Sequence, residues 1–343
     1  APYARTVTDF DPPRPWIASY QEGVPADLEP VTGSVLDLLD EATEAFPDAP
    51  ATEFFGAVNT YRELYDKVER CAGALLDLGV IPGTKVAISL PNSPQHVVAF
   101  YAVQRLGGVV VEHNPLYRQD EFEHLFADHR APVAIVWDKV AATIQSMDRD
   151  LRPRVLISVN LTRSMPLTTR LALMLPLPRA RATLEALHSP TVDTIPWVKL
   201  GKHAPLAKTF PRPTSEDLAV VQYTSGTTGV SKGVELLHRN LVANAKQCAL
   251  WGHDVPHGEG TTVFGVLPMF HAYGLTLCLT VSVALGARLV LFPKFDPDLV
   301  LDAMKRHVPT IFPLVPPIAK RLLAIAAERG QAMPQVGIAI SGA

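Results

Sequence analysis

Cysteine is scarce: Cys71, Cys248 and Cys278 lie far apart in the 343 residues, all within helical or apolar stretches. That spacing suits neither a disulfide framework nor a metal site and points to a reducing cytosol. Excess charge of one sign is also lacking. With a net charge of -3 and no block of like charges, nothing draws the chain to nucleic acid, so none is expected as a partner. Ala1 to Phe10 lacks the apolar core of a signal peptide, and no methionine begins the chain, which suggests trimming. A membrane-spanning run is missing too. Gly260 to Ala287 carries no Asp, Glu, Lys or Arg, but Pro268, His271 and Gly274 interrupt it. Its helical part, Leu275 to Leu285, is about half the ~20 residues a bilayer needs, and so reads as a buried core helix.

What is present is a large apolar fraction, 48%, in short runs alternating with amphipathic stretches. Strands are expected at Val86–Leu90, Val109–Val111, Val133–Trp137, Val155–Val159, Leu218–Tyr223, Thr262–Leu267, Arg288–Phe292, Thr310–Phe312 and Val336–Ile340. Thr60 and Glu63 read as a capping box for a helix that buries Leu64, Val68, Cys71 and Leu75 and stops at Gly79. Ser34 opens another, with Leu38, Leu39, Ala42 and Phe46 inward. Near-continuous apolar strands separated by helices predict an α/β fold with mostly parallel sheets covered on both faces. Nine strands exceed the usual size of one twisted sheet, so more than one is expected.

The most informative stretch is Thr224 to Gly233, Thr-Ser-Gly-Thr-Thr-Gly-Val-Ser-Lys-Gly, straight after an apolar run. A strand entering a turn rich in hydroxyls and glycines brings backbone N–H groups up to a polyphosphate. Other phosphate loops do not fit. A Walker A loop requires Gly-Lys-Ser/Thr five residues after its first glycine, whereas Ser231 stands five after Gly226 and Lys232 precedes Gly233. The spacing of Gly226, Gly229 and Gly233 also misses the dinucleotide fingerprint.

Val221 through Lys232 resembles the signature of the adenylate-forming enzymes, which include acyl-CoA synthetases, luciferases and peptide adenylation domains. Ser231 stands where many members carry proline; it keeps an N–H, so a slightly less rigid loop is expected. Trp16 to Pro25, Leu78 to Asn92 with its Leu-Pro-Asn, and Gly107 to Tyr117 ending Asn-Pro-Leu-Tyr are similar to long-chain acyl-CoA synthetases. Leu267 to Gly274, Leu-Pro-Met-Phe-His-Ala-Tyr-Gly, resembles the family's aromatic-histidine motif.

The resemblance implies a layered α/β N-terminal domain of two mostly parallel sheets flanked by helices. Residues 1–30 would be an arm and 31–343 the domain, with subdomains of about 75–210 and of 31–74 with 211–343. The segment of about 75 to 210 is expected to form one sheet and the later strands the other. A small barrel and a mobile C-terminal domain would follow beyond Ala343, so the chain by itself is expected to be inactive.

Acyl adenylate formation joins two anions, which demands offsetting donors and charge. Ser225, Thr227, Thr228 and the loop amides are suited to the β- and γ-phosphates of ATP, and Lys232 to supplying positive charge as a catalytic residue. By motif position the phosphate set is Thr224, Ser225, Gly226, Thr227, Thr228, Gly229 and Lys232, with Thr224 also a ligand for Mg2+. The resemblance implies that His271, the second catalytic candidate, lies between nucleotide and acyl sites and places the carboxylate. It would act as a neutral donor, not a base, because a carboxylate has no proton to lose. Acyl contacts are expected at His271, Tyr273, Gly274 and Leu275, and adenine contacts at Ser341, Gly342 and Ala343.

One feature stands apart. Leu161 to Leu184 carries Arg163, Arg170, Arg179 and Arg181 and no acid, interleaved with leucines and methionines. It reads either as a contact with an anionic membrane surface or as an insertion packed on the domain, with Pro166, Pro176 and Pro178 limiting any long amphipathic helix.

The function implied is ATP-dependent activation of a fatty acid and transfer to coenzyme A. An acyl-AMP ligase serving a carrier protein, an aryl acid CoA ligase and a nucleotide-binding module without ligase activity remain open alternatives.

Overall fold

A computed structural model describes residues 14–224, 231–252 and 254–342. The chain starts one sheet with β1 (Pro50–Phe54) and β2 (Ala57–Thr60), which turn about Phe55 and Gly56, both at positive φ. It then builds a second sheet from β3 (Lys85–Ser89), β4 (Val109–Glu112), β5 (Val133–Trp137), β6 (Val155–Val159), β7 (Ile195–Pro196), β8 (Leu218–Thr224) and β9 (Lys232–Leu237). It returns to the first with β10 (Thr262–Gly265), β11 (Arg288–Leu291), β12 (Ile311–Leu314) and β13 (Ile338–Ser341). The orders are β13-β12-β10-β11-β1-β2 and β7-β6-β5-β3-β4-β8-β9. Every pairing is parallel except the hairpins β1–β2 and β8–β9.

Two mostly parallel sheets with helices around them match the expected fold class. The division of strands does not match. β8 was expected with the later strands, yet it pairs with β4. Its Ala219–Gln222 segment is buried, which suits an inner position beside β4, and β9 returns antiparallel on β8 as the sheet edge.

Helix Pro94–Arg105 is buried at all twelve residues, as a helix between two layers must be. Some of its polar groups are met internally, while Gln95 Oε1, His96 Nδ1, the Tyr101 hydroxyl and Gln104 Oε1 have no partner among the described residues. Gln104 donates to the Ala219 carbonyl at 2.9 Å, the Arg105 guanidinium meets Glu69 at 2.8 Å, and His96 Nε2 lies 3.1 Å from Glu112. Helix Tyr61–Asp77 packs beside it, opened by the expected capping box. The Glu63 N–H donates to the Thr60 hydroxyl at 3.2 Å, and the Thr60 N–H to the Glu63 carboxylate at 2.9 Å. Gly79 closes it at φ +90°. Helix Val35–Ala45 buries Leu38, Leu39 and Ala42 as its spacing predicts.

Leu275–Thr280 forms a π-helical turn continuing into helix Val281–Ala284, nearly all of it buried. Among the described residues no helix is long and apolar enough to cross a membrane.

Candidate functional site

Both sheets send strand ends toward the motif residues. β8 ends at Thr224 and β9 begins at Lys232, and these two residues are register partners across the hairpin. Thr224 and Lys232 are both exposed, and the Lys232 ammonium has no hydrogen-bond or ion-pair partner among the described residues. The expected phosphate-binding residues Ser225, Gly226, Thr227, Thr228 and Gly229 lie outside the described residues, as does Ala343 of the adenine segment.

The histidine turn follows β10. Asn92, just beyond β3, is 3% exposed and holds this turn with its whole amide. Its Nδ2 donates to the Gly265 and Leu267 carbonyls at 2.9 and 2.7 Å, and its Oδ1 accepts from the Met269 N–H at 2.8 Å. A second amide holds the next residue: Gln222 of β8 donates to the Phe270 carbonyl at 3.0 Å. Strand β8 and the turn that presents His271 are thus tied directly.

His271 is exposed and caps the short helical turn Ala272–Gly274. Its Nδ1 accepts a long hydrogen bond, 3.4 Å, from the Tyr273 N–H. An accepting Nδ1 puts the proton of a neutral imidazole on Nε2, which is then free to donate. Gly274 is dictated by space: a Cβ there would sit 2.0 Å from the Pro268 carbonyl oxygen. Tyr273 donates from its hydroxyl to the Ile340 carbonyl at 3.0 Å, and burial raises its pKa, keeping it a donor. That bond joins the histidine turn to β13, which runs into Ser341 and Gly342. Thr224, Lys232, His271, Tyr273 and Ser341–Gly342 are therefore joined through one hydrogen-bonded framework.

Beside it lies a cavity of about 540 Å³ between β12, β13, helix His238–Trp251 and the N-terminal arm. Leu277, Val281, Ile311, Ile338 and Ile340 make its walls apolar. Leu275, expected at the acyl group, is 1% exposed and does not line this cavity. Tyr20 of the arm packs edge-on to Trp251 with ring centroids 5.1 Å apart, closing one side.

For a metal, Thr224 offers one exposed oxygen, and among the described residues no group of His, Cys, Asp and Glu could hold a cation. That donor set fits only a hard ion that takes its other ligands from water and substrate phosphates, as magnesium does.

Sequence reasoning missed the positioning roles of Asn92 and Gln222. A signal existed for Gln222: an amide inside an apolar buried run must find a partner.

Residues 39–343 match the AMP-binding enzyme family. A long-chain-fatty-acid–CoA ligase of Bacillus subtilis (strain 168) is 34% identical over 313 residues, covering 90% of this chain and 55% of that protein. Another of the same name from Salmonella typhimurium is 30% identical over 295 residues, covering 84% of this chain and 52% of that protein. Among solved structures, the anthranilate CoA ligase AuaEII in complex with anthranoyl-AMP superposes with a TM-score of 0.75 at 22% identity. That superposition covers 91% of this chain and 55% of the other, and is a likeness of fold. The chain spans about half the length of the curated relatives it matches. On the family match, the phosphate-loop signature and the framework around His271, this chain belongs to the AMP-binding, adenylate-forming enzymes.

Proposed function

We propose that the protein activates a long-chain fatty acid with ATP and passes the acyl group to coenzyme A. In the first step a carboxylate oxygen bonds to the α-phosphorus of ATP and the bond to pyrophosphate breaks. In the second the thiol sulfur bonds to the acyl carbon, AMP leaves and the thiol proton is released. The observation that carries this reading is the framework through Gln222 and Tyr273, which ties the phosphate hairpin and the adenine segment to a single exposed histidine.

Lys232 supplies a cation without a competing carboxylate partner among the described residues, suited to phosphate oxygens. His271 orients the attacking carboxylate through Nε2–H, gaining rate by position and not by proton removal. Thr224 and the phosphates would hold magnesium, which when bound supplies charge that offsets the repulsion between the two anions. Ser341 and Gly342 stand at the adenine end, and the apolar cavity beyond Leu277 and Val281 suits an alkyl chain.

For location we propose peripheral contact with an anionic membrane through 161–184. Supporting it, Leu167, Leu171, Met174, Leu175 and Leu177 are each more than half exposed, on or between two short helices, Leu167–Leu173 and Pro178–Leu187. Arg163, Arg179 and Arg181 are exposed beside them.

The deciding experiment is ATP–pyrophosphate exchange by the full-length protein over acids of graded length, followed by coenzyme A against carrier protein as acceptor. Exchange is expected with long-chain acids, and thioester with coenzyme A. No exchange with any acid would overturn the reading.

A further inference from the structure

The seven-stranded sheet has a second crevice. From β3 the chain steps to β4 on one side, then crosses back over β3 to lay down β5, β6 and β7 on the other. The reversal between β3 and β5 is a topological switch point, where open parallel sheets bind ligands outside the carboxyl ends of their strands. A cavity of about 630 Å³ occupies that place. It is lined by Gln95 beyond β3, Asp138 beyond β5, Asn160 beyond β6 and Trp197 beyond β7, and shares no lining residue with the framework around His271.

The chemistry of its walls is selective. Asp138 is 4% exposed and already engaged, by His188 Nδ1 in a short contact and by the Ser189 N–H at 3.2 Å. No other acid lines the cavity. Arg163 and Lys202 line it with side chains that have no hydrogen-bond or ion-pair partner among the described residues. Gln95 is 3% exposed; its Nε2 donates to the Asn160 carbonyl at 3.2 Å, and its Oε1 has no partner. Met165 and Trp197 add apolar surface.

We propose that this crevice is a binding site for a soluble amphipathic organic anion, distinct from the adenylation site. Arg163 and Lys202 take the anionic group, and Met165 and Trp197 pack on its apolar part. The volume suits a molecule of drug size.

Anilinonaphthalene sulfonate, which combines an anion, an N–H and aromatic rings, is a direct probe, titrated by fluorescence in lipid-free buffer. The variant R163Q/K202Q changes two exposed side chains, so folding is retained. Its affinity for the dye is expected to fall tenfold or more. C248W, which fills the other, apolar cavity, is expected to leave dye affinity in the crevice unchanged. Equal binding by wild type and R163Q/K202Q would overturn the proposal. So would loss of binding in C248W alone, which would assign the dye to the apolar cavity.

Discussion

Gln222 and Phe270 are joined by a 3.0 Å hydrogen bond from a side-chain amide to a backbone carbonyl, across 48 residues of sequence. The bond sets where the histidine turn stands relative to the β8–β9 hairpin. Gln222→Met keeps the volume but removes the donor. Adenylation by the full-length protein is expected to fall roughly tenfold to hundredfold through misplacement, with ATP affinity nearly unchanged. His271→Ala should likewise lower pyrophosphate exchange more than ATP binding. Equal losses in both measurements would argue against the positioning role of either residue.

Asn92 gives a sharper stability test. Asn92→Ala takes the amide partner from the Leu267 carbonyl and the Met269 N–H, while the Gly265 carbonyl keeps a 3.4 Å bond from the Phe292 N–H; the cost is about 1–3 kcal/mol for each orphaned group that water cannot reach. Asn92→Asp should be at least as damaging, because a carboxylate can still accept from Met269 but turns negative charge toward two carbonyls. Urea midpoints rank the two variants; an aspartate as stable as wild type would refute the assignment of the amide.

Acid should destabilise the fold before its carboxylates titrate. His238 is wholly buried, with Nδ1 accepting from the Val35 N–H at 3.2 Å, and burial lowers its pKa to about 4. His113 and His129 are lowered in the same direction, again chiefly by burial. The unfolded chain takes up these protons near pH 6.5 while the folded chain does not. Stability is therefore full above about pH 6.5 and falls as pH drops toward 4, by up to roughly 1.4 kcal/mol per pH unit for each histidine. Urea unfolding between pH 7.5 and 5 should show a shallower fall in His238→Asn; an unchanged slope would count against it.

The basic excursion makes a prediction for membranes. Sedimentation with phosphatidylglycerol vesicles is expected, weakened by salt and absent with phosphatidylcholine alone. Substituting Arg163, Arg170, Arg179 and Arg181 by glutamine should release the protein. Sedimentation unaffected by all four changes would remove the membrane contact.

The strands that could be read from sequence were those whose apolar residues run unbroken, such as Val133–Trp137 and Val109–Val111. Those that escaped hide polar residues for physical reasons. β1 carries Glu53, whose buried carboxylate is met by Arg288, His307 and Arg306 at 3.1, 2.9 and 3.6 Å. β9 is a sheet edge, and Lys232–Glu235 face solvent, so its composition reads as a continuation of the loop. The division of strands between sheets also escaped, because the apolar content of β8 says that it is buried but not which neighbour covers it. At the site, the chemically distinctive side chains were visible and the amides that aim them were not. A distant backbone partner leaves no trace in local spacing.

Three contacts from the Asn92 amide locate a short piece of backbone as three legs fix a stool. The position of the histidine is inherited from that mount, while its own ring makes one long bond to the chain. Mount and tool are separable. A different side chain at 271 would be presented at the same point in space, so this turn can exchange one chemistry for another without the two sheets having to rearrange.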